Sequence, residues 1–257
     1  MTDHESRTIT SSTETPWHPP EADLALAADS IDVWRASLKR DPAGVSALRR
    51  TLSDDELTRA DRFHFAKHRE RFIAARGLLR RILGLYLGVE SQTLRFVYGD
   101  HGKPFLAPEL AACGVHFNAS HSRDLALFAV TRDRDIGIDV ERVRPDVACT
   151  QLATRFFAPG EVQTLRSLPV DAQREAFFRC WTRKEAFIKA KGEGFSLPLD
   201  QFEVSLAPGA PATLLRTEWD PLESDRWSLS EISPGPGFVG ALAVEGALPE
   251  TRRWEIT

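Results

Sequence analysis

The two halves of the chain repeat the same order of elements. Arg62-Phe63-His64-Phe65-Ala66 introduces helix-forming sequence in the first half, and Arg155-Phe156-Phe157-Ala158 does so in the second. Each half then closes on a similar apolar strand, Leu125-Ala126-Leu127-Phe128-Ala129-Val130-Thr131 and Val239-Gly240-Ala241-Leu242-Ala243-Val244-Glu245. The expected fold class is therefore α+β, built as two similar halves related by a pseudo-twofold axis, with the active site in the cleft at their interface. The 257 residues suit one large domain or two small ones, with ample core either way. The boundaries expected are a disordered polar tail over 1–21, an N-terminal half over 22–132 and a C-terminal half over 133–257.

Periodicity predicts strands over 93–98, 115–117, 126–131, 136–140, 202–206, 227–231 and 238–244. Helices are predicted over 60–87, 148–156, 159–168 and 171–191, the last ending at Gly192 in a C-cap position.

Charge is spread unevenly through these parts. The whole chain carries 33 Lys and Arg against 37 Asp and Glu, a net of −4, which argues against a dedicated nucleic-acid binder. Residues 1–30 hold six acids and one base, and eight of residues 2–15 are Ser or Thr, too polar to offset ordering entropy. Between Thr58 and Arg81 lie eight bases and two acids, a net of +6 on a stretch with helical apolar spacing. That run reads either as a solvated face or as a surface for a multiply phosphorylated small molecule, for which the Arg fork is suited. No apolar run reaches the ~20 residues of a membrane span. Cys113, Cys149 and Cys180 are odd in number and widely spaced, so neither a disulfide framework nor a CxxC metal knuckle is expected. These features together predict a soluble, cytoplasmic protein.

Chemistry-bearing residues concentrate in three places. In Ile136-Gly137-Ile138-Asp139-Val140-Glu141, alternation puts Asp139 and Glu141 on one face and buries Ile138 and Val140 on the other. Two such carboxylates either face water from an edge strand or share a hard cation, with Mg²⁺ favoured over zinc by an all-oxygen donor set. In Trp181-Thr182-Arg183-Lys184-Glu185-Ala186-Phe187-Ile188-Lys189, Glu185 and Lys189 are four residues apart on a helix that Phe177, Phe178, Trp181, Phe187 and Ile188 make apolar over most of its circumference. The pair is either a surface Glu–Lys couple or a buried pair that needs partners, which a metal and a phosphate would supply. In His116-Phe117-Asn118-Ala119-Ser120-His121-Ser122, a hydroxyl and an imidazole offer phosphate or sugar donors, or simply cap a turn. Adjacent Ser and His do not make a hydrolase, and Gly-x-Ser-x-Gly is absent.

Taken in order, Gly102-Lys103-Pro104, Phe117 to Ser122, Gly137 to Glu141, Trp181 to Lys189 and Gly192-Glu193-Gly194-Phe195-Ser196-Leu197-Pro198 resemble the Sfp-type 4′-phosphopantetheinyl transferases, over about 52–204. The resemblance implies transfer of the phosphopantetheine arm of coenzyme A to a serine of an acyl or peptidyl carrier protein, with release of 3′,5′-ADP. It implies a Mg²⁺ site (Mn²⁺ as a substitute) at Asp139, Glu141 and Glu185 in the C-terminal half, with Glu185 also the base for the carrier serine. Lys189 is implied on the pyrophosphate, so Glu185, Lys189 and Asp139 form the implied catalytic set. Lys103, Ser120, His121, Lys189 and, by a looser match, Arg71 and Arg76 are implied in coenzyme A binding. The partners implied are coenzyme A and a carrier protein, with no nucleic acid or membrane, and a monomer is expected. Two other readings remain open at this level: a different Mg²⁺-dependent phosphohydrolase or nuclease, and a non-catalytic carrier- or nucleotide-binding module.

Overall fold

The computed structural model describes residues 16–21 and 24–257. In chain order the first half contains β1 (Ser30–Ser37), α1 (Pro42–Arg49), α2 (Asp54–Asp61), α3 (Ala66–Leu87), β2 (Phe96–Tyr98), β3 (Pro104–Leu106), α4 (Pro108–Ala111), β4 (Val115–Ser122) and β5 (Leu125–Arg132). There follow β6 (Ile136–Arg142), α5 (Cys149–Phe156), α6 (Pro159–Ser167), α7 (Val170–Lys191), β7 (Phe202–Val204), β8 (Leu214–Thr217), α8 (Glu223–Arg226), β9 (Trp227–Ile232), β10 (Phe238–Glu245) and β11 (Glu250–Ile256).

Strand alternation builds the layers. On β5, Ala126, Phe128 and Val130 pack with Leu78 and Ile82 of α3, while Leu127 and Ala129 point the other way. There they meet Ile138 and Val140 of β6 and Leu242 and Val244 of β10, forming a core between two sheets. On β10, Val239, Ala241 and Ala243 pack with Phe187 and other residues of α7. The result is helix, sheet, sheet, helix, with strand orders β11-β1-β5-β4 and β6-β10-β9. The expected α+β class holds. The halves also echo each other, since α3 and α7 are both 22 residues long and both end at a left-handed glycine, Gly88 and Gly192. At those two positions a side chain would cost the turn its geometry.

Several features depart from the sequence expectations. The helix expected over 60–87 is broken: α2 ends at Asp61, Phe65 is extended (φ −96°, ψ 129°), and α3 starts at Ala66. The last strand, β11, pairs in parallel with β1 from Ser30–Glu250 to Ala36–Ile256, so residues 250–256 lie in the sheet of the N-terminal half. Of the tail expected over 1–21, residues 1–15 fall outside the described residues, but Trp17 and His18 are held. The Trp17 indole donates to the Ser233 carbonyl, and His18 bridges to Trp254 on β11.

The basic stretch is also not a single surface. Arg80 is buried and donates to Glu56 (2.6 Å) and to the carbonyls of Ser91 and Leu94 (3.0 and 2.8 Å), tying α2 and the turn after α3 to the helix. A buried guanidinium is tolerated when its donors are satisfied in this way.

Gly137 sets the spacing that matters most for function. A Cβ built there would lie 2.0 Å from the carbonyl oxygen of Ala186 and 2.4 Å from the nitrogen of Ala190. Only glycine lets β6 and α7 pack backbone against backbone at this point. A glycine inside a strand often marks a close backbone approach, and here the approach is to the protein's own helix.

Candidate active site

With β6 pressed onto α7, residues 139 and 141 of the strand and 185 and 189 of the helix share one region. Asp139 is buried, at 4% exposure, so this acid does not point into water from the strand, while Glu141 is half-buried. Lys189 Nζ lies 2.6 Å from Asp139 Oδ1 and also donates to Ser120 Oγ at 3.0 Å. Ser120 Oγ in turn donates to the same Oδ1 at 2.7 Å. Two residues further along both strands, Ser122 Oγ donates to Glu141 Oε2 at 2.7 Å. Glu185 lines the adjoining cleft with Lys189, Lys103, Asn118 and Gly192. That cleft has a volume of about 430 Å³ and takes its walls from both halves.

The electrostatics mark a shortage of positive charge. Burial raises the Glu185 carboxyl above the ordinary glutamate value, and the neighbouring charge of Asp139 raises it further against the pull of Lys189. Burial likewise raises Glu141, with the Ser122 hydrogen bond opposing and Asp139 adding to the rise. Oδ2 of Asp139 is buried and accepts no hydrogen bond from the described residues. Three carboxylates that feel one another, with one lysine between them and a bare buried oxygen, are a donor set suited to a hard divalent cation. Among the described residues no three such side chains converge as they stand into a ready metal cage.

The residues expected to bind coenzyme A go to different places. Lys103, on the turn between β2 and β3, lines the cleft, and its Nζ donates to the carbonyls of Ala190 (2.8 Å) and Ile136 (3.4 Å). A cation at the end of α7 suits the negative end of the helix dipole, while burial lowers its pKa. Ser120 and His121 part company because β4 extends to Ser122, past the 115–117 expected. Ser120 faces β6, whereas His121 has the opposite parity and shares surroundings with Arg71 of α3. Its imidazole is held below the ordinary histidine value by desolvation, then by Lys189 and Arg71. Arg71 is partly exposed and bound to Asp124 at 2.7 Å. Arg76 is not brought to the cleft. It is paired with Glu56 at 3.3 Å and packed against the rings of Phe96 and Tyr98, because α2 folds over that face of α3.

Some residues around the cleft were given no individual role by the sequence reading. His101 approaches Ser196 at 3.4 Å across the mouth of the cleft, and Gly194 (φ +55°) lies so near that a Cβ there would come within 2.7 Å of the His101 Cβ. Asn118 and Ser122 could have been found from the alternation 118, 120, 122, had the strand been read to its true end.

Residues 32–133 match the description 4′-phosphopantetheinyl transferase, N-terminal, and residues 135–243 match the 4′-phosphopantetheinyl transferase superfamily. Over 238 residues the chain is 44% identical to 4′-phosphopantetheinyl transferase HetI of Nostoc sp., covering 93% of this chain and 97% of that protein. The chain belongs to the 4′-phosphopantetheinyl transferase family. It is also 33% identical over 155 residues to 4′-phosphopantetheinyl transferase Sfp of Bacillus subtilis, covering 60% of this chain and 66% of that protein. A solved structure, the holo-[acyl-carrier-protein] synthase of Thermotoga maritima, aligns with 24% identity and a TM-score of 0.36 over 44% of this chain and 62% of that one. For this phosphopantetheinyl transferase, the two matched regions meet between residues 133 and 135, at the turn from β5 to β6 that separates the two sheets.

Proposed function

We propose that this phosphopantetheinyl transferase moves the 4′-phosphopantetheine of coenzyme A onto a serine of an acyl or peptidyl carrier protein and releases 3′,5′-ADP. The observation that carries the site assignment is the Lys189–Asp139–Ser120 cluster at the cleft shared with Glu185. The serine oxygen forms a new bond to the phosphorus that bears the pantetheine arm, the P–O bond to the nucleotide breaks, and the electron pair leaves with 3′,5′-ADP. Glu185 takes the serine proton; a carboxyl whose pKa is raised by burial and by Asp139 is a stronger base than a free glutamate. Lys189 holds the pyrophosphate by charge-assisted hydrogen bonds, and Lys103, Ser120, His121 and Arg71 receive the nucleotide end. Asp139, Glu141 and Glu185 would hold Mg²⁺, which supplies positive charge to offset that of the pyrophosphate. Phosphoryl transfer demands mainly this kind of positioning and charge compensation.

Among the described residues no helix is long and apolar enough to cross a membrane, and Cys113, Cys149 and Cys180 are free thiols. We extend the proposal to a cytoplasmic monomer acting without nucleic acid or membrane. Incubating the protein with coenzyme A, Mg²⁺ and a panel of apo carrier proteins tests the reading. The expected result is a phosphopantetheine mass increment on at least one carrier; none on any carrier, from folded protein, contradicts it.

A further inference from the structure

β4 and β6 are edge strands of different sheets, and no backbone ladder joins them. They are joined by side chains from one face of β4. Asn118 Oδ1 accepts the Ile138 amide at 3.0 Å, Ser120 Oγ donates to Asp139, and Ser122 Oγ donates to Glu141 Oε2 at 2.7 Å. Successive rungs advance in the same direction along both strands, so the two edges run parallel. Side chains thereby satisfy edges that would otherwise be open.

Ser122 differs from the other two rungs. Its Oγ accepts the Arg142 amide at 3.1 Å while its single proton goes to Glu141. A hydroxyl has one proton to give, so fixing the acceptor side by a backbone amide also fixes the direction of donation. Glu141 makes no other hydrogen bond or ion pair to a side chain among those found for the described residues. The orientation of this carboxylate therefore rests on Ser122, and through it on the seating of the first half's edge strand against the second.

We propose that Ser122 is a positioning residue for the metal site: it holds Glu141 in the orientation that takes the divalent cation, making cation binding depend on contact between the two halves. This rests on the assignment of Glu141 as a metal ligand. Partners that orient a ligating carboxylate commonly contribute about 10- to 100-fold to metal affinity.

The test is Mn²⁺ binding, read by electron paramagnetic resonance with coenzyme A present, for the parent, Ser122→Ala, Ser122→Thr, Ser122→Val and Asp139→Asn. Expected are Mn²⁺ dissociation constants raised about tenfold or more in Ser122→Ala and Ser122→Val, near-parent binding in Ser122→Thr, and unchanged melting temperatures. In turnover, the Mg²⁺ concentration for half-maximal rate should rise in Ser122→Ala while the KM for coenzyme A at saturating Mg²⁺ stays put. Thr and Val match in shape, so their difference isolates the hydroxyl even if the alanine variant folds poorly. Parent-like Mn²⁺ binding by Ser122→Ala and Ser122→Val, with binding lost in Asp139→Asn, overturns the positioning role and leaves the metal site standing. Equal loss in Ser122→Thr and Ser122→Val assigns the residue to packing and also overturns it. Parent-like binding by Asp139→Asn, or no Mn²⁺ bound by the parent, overturns the metal assignment itself and this proposal with it.

Discussion

Lys189 Nζ lies 2.6 Å from Asp139 Oδ1, an ion pair between α7 and β6 with the Asp139 partner almost wholly buried. Because the pair shares Ser120 and adjoins Glu185, it acts as a unit. Asp139→Asn and Lys189→Met should each lower kcat/KM by about 10²–10³-fold, and the double variant should lose little more than the worse single one. Steady-state kinetics on one carrier protein, with circular dichroism to confirm folding, measures this; simple additivity would show that the two act separately.

Arg71 and Arg76 belong to the same basic helix but should behave differently. Arg71 is partly exposed beside His121, so Arg71→Ala should raise the KM for coenzyme A roughly tenfold, about 1.4 kcal/mol, with little change in melting temperature. Arg76 packs on Phe96 and Tyr98 and pairs with Glu56. Arg76→Ala should leave that KM unchanged and cost about 1 kcal/mol of stability, since Glu56 keeps its bond to Arg80. Kinetics and denaturant titration on both variants separate the two roles.

Gly137→Ala would place a Cβ 2.0 Å from the Ala186 carbonyl oxygen. Backbone has to move, so a loss of about 1–3 kcal/mol or more is expected. Activity should fall further than stability alone accounts for, because the same movement takes Asp139 away from Lys189. Denaturation midpoints and turnover at a temperature where the variant is fully folded check both parts.

The last strand should be essential to the fold. Arg252 on β11 donates to both oxygens of fully buried Asp32 (2.6 and 2.8 Å), which also accepts from the Tyr86 hydroxyl. Arg252→Ala leaves that carboxylate without its cation, a loss of about 3 kcal/mol. Asp32→Asn combined with Arg252→Ala should recover part of it. Denaturant unfolding of the two variants gives the comparison.

The long helices, the central strands and the acids of β6 were legible because each follows a short-range period: α7 from its aromatic spacing, β5 and β10 from continuous apolar runs, Asp139 and Glu141 from alternation beside buried Ile138 and Val140. What escaped depends on partners distant in sequence. Glu250 to Ile256 reads as polar, yet Arg252 is neutralised by Asp32 and Trp254 packs on Trp34, both 220 residues away. The end of β4 reads as a loop because Asn118, Ser120 and Ser122 are polar, and their partners come from β6 and from Lys189 of α7, distant in sequence. The break before α3 escaped because apolar spacing continues through Phe63 and Phe65. Arg76 and Arg80 read as part of a basic surface, solvated or phosphate-binding, because nothing near them in sequence announces that Glu56 of α2 folds over both.

The most direct test of the central claim is an intact-mass assay of one apo carrier protein with coenzyme A and Mg²⁺, comparing the parent with folded Asp139→Asn and Glu185→Gln. The account predicts that the parent adds phosphopantetheine to the carrier serine, that chelating the Mg²⁺ abolishes the addition, and that neither variant forms appreciable product in the same time. Modification by either variant at close to the parent's rate would contradict the assignment of the reaction to this carboxylate site.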